Sequence, residues 1–382
     1  MKNVLQILGF TALAAGAAVP AAARALYFLE NNPSGANIVS LKVSSQDGSL
    51  SDPTRISTGG SGLIGVGNTG AAVMMDTLFS QDAVVVSGSH LFAVNPGTNT
   101  VSLFSIPKHD PWHPQLVGSP VPSGGDFPMS IAYSPRHRLA CVANSGAMNT
   151  VQCYDVTVAG LRPSGEPMPL PLNQTTPPAG PPSTVSDILF NPSQSTLVVT
   201  IKGSGTGPGY IYAYPVSYGK VHPSPRVSRP AALGLNFGLS FLGSDSRAII
   251  ADPGFGGAFV DFDCNLDASV SKVINITGNA ATCWTQYSAD LHTAYLLDAA
   301  TTNIAVLDAA SMEVKSTLAS PAVTAGKFDA AIGDGHLYTL DASDSISVYS
   351  LNESTAVQTF NLTGFGSRQL FQGMAFYGGS VY

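Results

Sequence analysis

The chain has 382 residues, of which 11% are charged and 44% hydrophobic, a balance that excludes a disordered polymer. Its 17 Lys and Arg against 24 Asp and Glu give a formal net charge of −7, and without a basic cluster it offers no footprint for nucleic acid or an anionic membrane. The 39 glycines and 27 prolines are spread between short apolar runs with no Gly-X-Y period, which excludes collagen and points to a turn-rich β protein.

The first predicted element is a leader. Lys2 precedes an apolar stretch from Val4 to Val19, and Ala21-Ala22-Ala23-Arg24-Ala25 supplies small residues suited to cleavage, so residues 1–23 read as a secretory signal and 24–382 as the mature chain. The stretch is shorter than a bilayer requires, so secretion or the secretory lumen is expected, with no membrane anchor. Four cysteines fit that oxidising route. Cys141 and Cys153 lie on successive apolar runs joined by Asn144-Ser145-Gly146, and Cys264 and Cys283 lie close together further on; Cys141–Cys153 and Cys264–Cys283 are the predicted disulfides, one of three possible pairings. No C-x-x-C spacing marks a zinc site, and no metal or other cofactor is predicted. Asn173, Asn275, Asn352 and Asn361 stand in glycosylation sequons.

Beyond the leader a unit of short strands recurs. The first unit, Leu26 to about Gly60, supplies three strands but lacks a leading one. Later units carry an apolar anchor on the leading strand, at Val86, Tyr133, Phe190, Phe241, Tyr287, Ile332 and Phe376, spaced 44 to 57 residues apart. Seven anchors predict seven four-stranded blades, an all-β seven-bladed propeller forming one domain. The last anchor belongs to Leu370-Phe-Gln-Gly-Met-Ala-Phe376, the strand missing from the first unit, so the C-terminus is expected to close the ring and leave no free sheet edge.

In such a ring the loops between blades and those joining second to third strands share one face, called here the loop face, where a central pocket is expected to open. Glu30, Lys202, Asp126, Asp187 and Arg368 fall on that rim; of these Glu30, Lys202 and Arg368 are hard to explain as turn formers. Phe127, Phe237, Trp284 and Phe328 would give the pocket apolar walls. His90, His137, His292 and His336 fall instead in first-to-second-strand turns, on the opposite turn face, which leaves acid–base work at the rim to Asp, Glu or Lys. Gly65-Val-Gly-Asn-Thr-Gly70 matches a dinucleotide fingerprint only formally, since no convincing strand precedes it, and it reads as an inter-blade loop.

The runs Leu91-Phe-Ala-Val-Asn-Pro-Gly-Thr-Asn-Thr-Val-Ser-Leu-Phe and Asn173-Gln-Thr-Thr-Pro-Pro-Ala-Gly-Pro-Pro-Ser-Thr-Val-Ser-Asp-Ile-Leu-Phe-Asn-Pro resemble secreted fungal seven-bladed propellers of the carboxymuconate-cyclase-like or lactonase-like superfamily. That resemblance implies lactone hydrolysis or cycloisomerisation. The positions that would carry the superfamily's Pro-Arg-His signature read Pro128-Met129-Ser130 and Val185-Ser186-Asp187, so no catalytic role is transferred. In size, leader and blade pattern the chain also resembles the hetero-Diels-Alderases of fungal tropolone sesquiterpenoid biosynthesis.

The leading expectation is therefore an enzyme that templates cyclisation or cycloaddition of a small apolar metabolite. Phe127, Phe237, Trp284 and Phe328 would shape the pocket, with Glu30 on the same rim, while Lys202 or Arg368 would bind a developing oxyanion. A lactone hydrolase or muconate-type cycloisomerase using Asp126 or Asp187 as base is the alternative. A non-catalytic secreted glycoprotein that binds a ligand, glycan or partner is the third.

Overall fold

The computed structural model describes residues 22–318 and 326–379; the predicted leader, except Ala22 and Ala23, lies outside them. Seven antiparallel sheets stand as blades around a central axis. Their innermost strands are Phe371–Tyr377, Val84–Ser87, Pro128–Ser134, Val185–Phe190, Leu239–Ser244, Thr282–Ser288 and Lys327–Gly333, in the order of blades 1 to 7. Each of the seven predicted anchors lies on one of them. The reason is packing between blades: Tyr133 of blade 3 meets Phe92 of blade 2 at 4.8 Å, and Phe376 of blade 1 stacks on Tyr338 of blade 7 at 5.7 Å.

Burial follows radius. Second strands such as Leu139–Asn144 and Thr196–Ile201 are buried at every residue, because a neighbouring blade covers each face, and they read as continuous apolar runs. Outer strands such as Ala268–Asn275 alternate between buried and exposed positions. The ring closes as expected. Phe371–Tyr377 pairs antiparallel with Arg24–Glu30, placing Ala25 opposite Tyr377 and Leu26 opposite Phe376. The strand that starts at Arg24 is thereby buried from its second residue onward.

Cys141 and Cys153 are direct cross-strand partners in blade 3, with Cα atoms 4.0 Å apart, and they form the predicted disulfide. The second predicted disulfide is absent. Cys264 is exposed just beyond the third strand of blade 5, Gly256–Phe262, whereas Cys283 is buried near the start of the inner strand of blade 6. The two therefore differ in blade, radius and face, and both are free. All four sequon asparagines are exposed. Among the described residues no helix is long and apolar enough to cross a membrane.

Candidate functional site

The rim residues at the ends of second strands are mostly committed to the loops they start. Asp252 accepts the backbone N–H groups of Leu235 and Gly254, at 2.9 and 3.0 Å, and Asp298 those of Ala280 and Ala300, both at 2.8 Å. Glu30 is buried and takes hydrogen bonds from Asn37 Nδ2 at 2.9 Å and Arg55 Nε at 2.8 Å. Asp126, half-buried on blade 3, accepts from Asn99 Nδ2, the Met148 N–H and Thr176 Oγ1 at 3.1 to 3.3 Å.

The loop-face mouth is filled by the chain itself. Between blades 1 and 2 the segment Asp76 to Asp82 dips into the axis, and Phe79 is 2% exposed. Blades from around the ring hold it there. Trp284 Nε1 donates to the Ser80 carbonyl at 3.2 Å, Ser80 Oγ to the Met129 carbonyl at 2.6 Å, and the Gln81 N–H to the Ser186 carbonyl at 2.9 Å. Gln81 Oε1 receives the Thr285 N–H at 2.9 Å, and a Cβ at Gly238 would stand 2.2 Å from that oxygen, so blade 5 needs glycine there. Asp76, Phe79 and Asp82 all have positive φ, at 47°, 57° and 60°, a strain that these surrounding contacts hold in place.

Lys202 and Arg368 frame this plug. Lys202 Nζ donates to the Phe79 carbonyl at 2.6 Å, the Val185 carbonyl at 2.8 Å and Thr184 Oγ1 at 3.2 Å, and lies 4.3 Å from the Phe237 ring centre. Arg368 donates through Nη1 to the Phe371 carbonyl at 2.9 Å and sits 5.1 Å from the Phe328 ring centre. Trp284 joins the two rings, 5.1 Å from each. The expected aromatic wall thus exists for Phe237, Trp284 and Phe328, but as buried packing beneath the plug rather than as an open mouth. Phe127 is fully buried in blade 3 and outside that stack. Burial lowers Lys202 to about 7 and raises the Asp76 carboxyl to about 7, each opposed by the charge of the other. Asp76 Oδ1 and Arg368 Nη2 are buried without a hydrogen-bond partner.

Beneath the plug the axis is acidic. Asp187 accepts the Leu239 N–H at 3.0 Å, Gln81 Nε2 at 3.2 Å and Ser130 Oγ at 3.4 Å. Its burial pushes the carboxyl up to about 7. Asp82 is driven well above the usual carboxylate range by burial first, then by the neighbouring charges of Asp187 and Asp329. Asp329, which accepts the Gly373 N–H at 2.6 Å, is displaced the same way, mainly by burial. Two neighbouring buried carboxyls cannot both ionise without repulsion, so the pair holds a proton near neutral pH.

Of this cluster Asp82 is reached from the turn face, while Asp187 and Asp329 stay buried behind it. A cavity of about 290 Å³ runs in among blades 4, 5 and 6, with Gln81 and Asp82 at its inner end and Phe190, Phe241 and Tyr287 near its rim. A second depression of about 340 Å³ shares Asp82 and Phe190 on the blade 2 and 3 side. The open end is thus opposite to the one expected, on the face that carries the histidine turns, although no histidine lines either cavity. Among the described residues no group of three or more His, Cys, Asp or Glu is placed to hold a metal ion.

Asp187 was expected on the loop-face rim and instead lies fully buried beneath the plug, while Gln81, Asp82 and Asp329 were not singled out from the sequence. A signal for Asp329 existed in the repeat: three residues before each anchor stand Ala83, Ser130, Asp187, Gly238, Trp284, Asp329 and Gly373, a position that faces the axis in blade after blade. Asp82 adjoins that position and belongs to a segment with no strand pattern.

A buried protonated pair has a measurable consequence. Between its ordinary 3.8 and about 7, Asp187 keeps its proton in the folded chain and loses it in the unfolded one, so stability falls as pH rises through that window. Asp82 and Asp329, shifted the same way, add to the fall. The thermal midpoint at pH 5 is expected to exceed that at pH 7.5 by about 3 °C or more, and Asp187→Asn, which mimics the protonated acid, to flatten the difference. A wild-type midpoint that climbs from pH 5 to pH 7.5 would contradict the pair.

No protein-family model and no curated protein matches the sequence. Solved structures resemble it along nearly its whole length. The periplasmic gluconolactonase of Pseudomonas aeruginosa superposes with a TM-score of 0.68 at 15% identity, covering 95% of this chain and 100% of that one. A Bacteroides fragilis protein provisionally described as a 6-phosphogluconolactonase gives 0.66 at 11% identity, over 94% and 99%. A chain of the nidogen–laminin complex gives 0.51 at 12%, over 92% and 98%. Likeness at these identities shows the fold, and it places lactonase-type propellers among the chain's structural neighbours.

Proposed function

We propose that the chain opens small cyclic esters by carboxyl acid–base chemistry in the axial cavity. The observation that carries this reading is Asp82 at the inner end of an open cavity, backed by the buried Asp187, with burial and mutual charge holding both carboxyls above their ordinary range. Asp82, ionised, takes a proton from water as the water oxygen bonds to the lactone carbonyl carbon. Asp82 then gives that proton to the ring oxygen as the carbon–oxygen bond breaks, with the buried Asp187 behind it setting its basicity, and water plus lactone becomes a hydroxy acid. Lys202 acts at a distance in this scheme, by holding the plug that delivers Asp82, and Arg368 by its charge near Asp76. The gluconolactonase neighbours support the choice of ester over other substrates through fold alone.

Export belongs to the same proposal. Cleavage after Ala23 would leave Arg24 to begin the first strand intact, and the exposed sequons and the Cys141–Cys153 bridge suit a secretory route.

The test is turnover of sugar and aryl lactones followed by mass spectrometry. A pH–rate limb near 7 is expected, with Asp82→Asn and Asp187→Asn each lowering kcat/KM about a hundredfold. A lactone panel that stays silent, or variants as fast as the wild type, would remove the reading. The Phe237, Trp284 and Phe328 stack keeps a second reading in play, cycloaddition of an apolar metabolite after the plug withdraws. Its signature would be a flat pH profile and indifference to both Asp variants.

A further inference from the structure

The axial cavity does not end at its rim. A groove of about 660 Å³ continues from it along the turn face between blades 6 and 7, and Gln286 and Tyr287 line both spaces. The groove is more than twice the volume of the axial cavity. Its far wall carries Ser288, Asp290, Asp334 and Asn352.

We infer that this groove is an extension subsite, which takes a neutral, hydroxyl-rich substituent of the molecule whose ester ring sits at Asp82. The inference rests on the proposed lactone chemistry for the position of the ring. Its own support is the make-up of the groove. Carboxylates accept hydrogen bonds and cannot donate them, so Asp290 suits ligand hydroxyls and repels phosphate or carboxylate. Asp334 is held by an ion pair with Arg24. Asp290 and Asn352 are exposed, and neither side chain makes a hydrogen bond among the described residues. Tyr287 offers a ring face at the junction, the apolar partner that the C–H side of a sugar-like ring needs. Gln286 is fixed there by donation from Nε2 to the Ala330 carbonyl at 2.8 Å. Together the two spaces lie in the size range of small-molecule sites. The ligand class that follows is an uncharged lactone carrying a second polyol or glycosyl unit, not a phosphorylated monosaccharide lactone.

The test uses the full-length protein carrying Ser354→Ala, which removes the Asn352 sequon and keeps Asn352 itself. A monosaccharide lactone, the same lactone bearing a glucosyl substituent, and its phosphorylated form are compared. The expected result is a tenfold or greater preference in kcat/KM for the glucosyl lactone, expressed mainly in KM, with the phosphorylated form poorest. Asp290→Ala combined with Asn352→Ala should erase the preference and leave the monosaccharide lactone unchanged; both positions are exposed, so folding is not at stake. Equal rates for the two uncharged lactones, or a preference that survives the double variant, overturns the subsite while leaving lactone chemistry intact. Where no lactone reacts, calorimetric titration with a glucosyl polyol decides. Binding that the double variant abolishes upholds the groove and discards the lactone reading, and absence of binding overturns the groove as well.

Discussion

A chain ending at Leu370 is expected not to fold. The segment it lacks, Phe371–Tyr377, is the inner strand of blade 1 and the latch of the ring. Phe371, Met374 and Tyr377 are all at most 4% exposed, and Phe371 packs edge-on against Phe28 at 4.9 Å. Losing three such side chains costs roughly 3 kcal/mol each, before counting the ladder to Arg24–Glu30 and the Gly373 N–H that Asp329 accepts. That sum is of the order of a domain's whole stability, about 5–15 kcal/mol. What remains is a gapped ring with an unpaired strand edge facing the axis, a template for aggregation. Circular dichroism should show no cooperative melting transition and most of the protein should be insoluble, while a chain ending at Gly379 behaves as wild type. A sharp melt of the shortened chain within a few degrees of the full one would show that the latch is dispensable.

The same latch explains why the fold could be read from the sequence. Each anchor must be large and apolar to fill the wedge between neighbouring blades, as Tyr133 does against Phe92 and Phe376 against Tyr338, so the repeat left a mark at every blade. Cys141 and Cys153 were legible for a related reason, because a tight hairpin makes them cross-strand neighbours. Cys264 and Cys283 are also near in sequence, yet a blade boundary intervenes, and that boundary sends one residue to an outer turn and the other to an inner strand. The site was harder. Asp76 to Asp82 has no period and follows a glycine-rich stretch, so local pattern assigns it to a surface loop. Its burial is decided by partners from distant blades, Lys202, Met129, Trp284 and Thr285, which no local window contains. Phe237, Trp284 and Phe328 do come together, but as a buried stack without Phe127 and not as an open wall, since the segment that covers them was itself invisible.

Lys202 is where that difference becomes an experiment. A lysine that contacted substrate at an open mouth could be replaced by alanine with loss of turnover and little loss of stability. The lysine seen here is 2% exposed, and its ammonium supplies donors to two backbone carbonyls and a threonine hydroxyl. Lys202→Ala strips the Phe79 and Val185 carbonyls of that donor in a buried setting and leaves a void beside Phe237. Together these cost about 3–5 kcal/mol, or roughly 5 °C in thermal midpoint for a chain of this length. The loss should be local before it is global, because Phe79 is tied to blade 4 through this ammonium. Chymotrypsin is therefore expected to cut after Phe79 in Lys202→Ala well below its melting temperature and to spare that bond in the wild type. Lys202→Met restores the apolar volume without the donors, so it should recover part of the midpoint and stay cleavable. If Lys202→Ala melts with the wild type and resists the protease, the plug is held by its other bonds alone. If it also loses turnover, Lys202 reverts from a residue that positions Asp82 to one that meets the substrate.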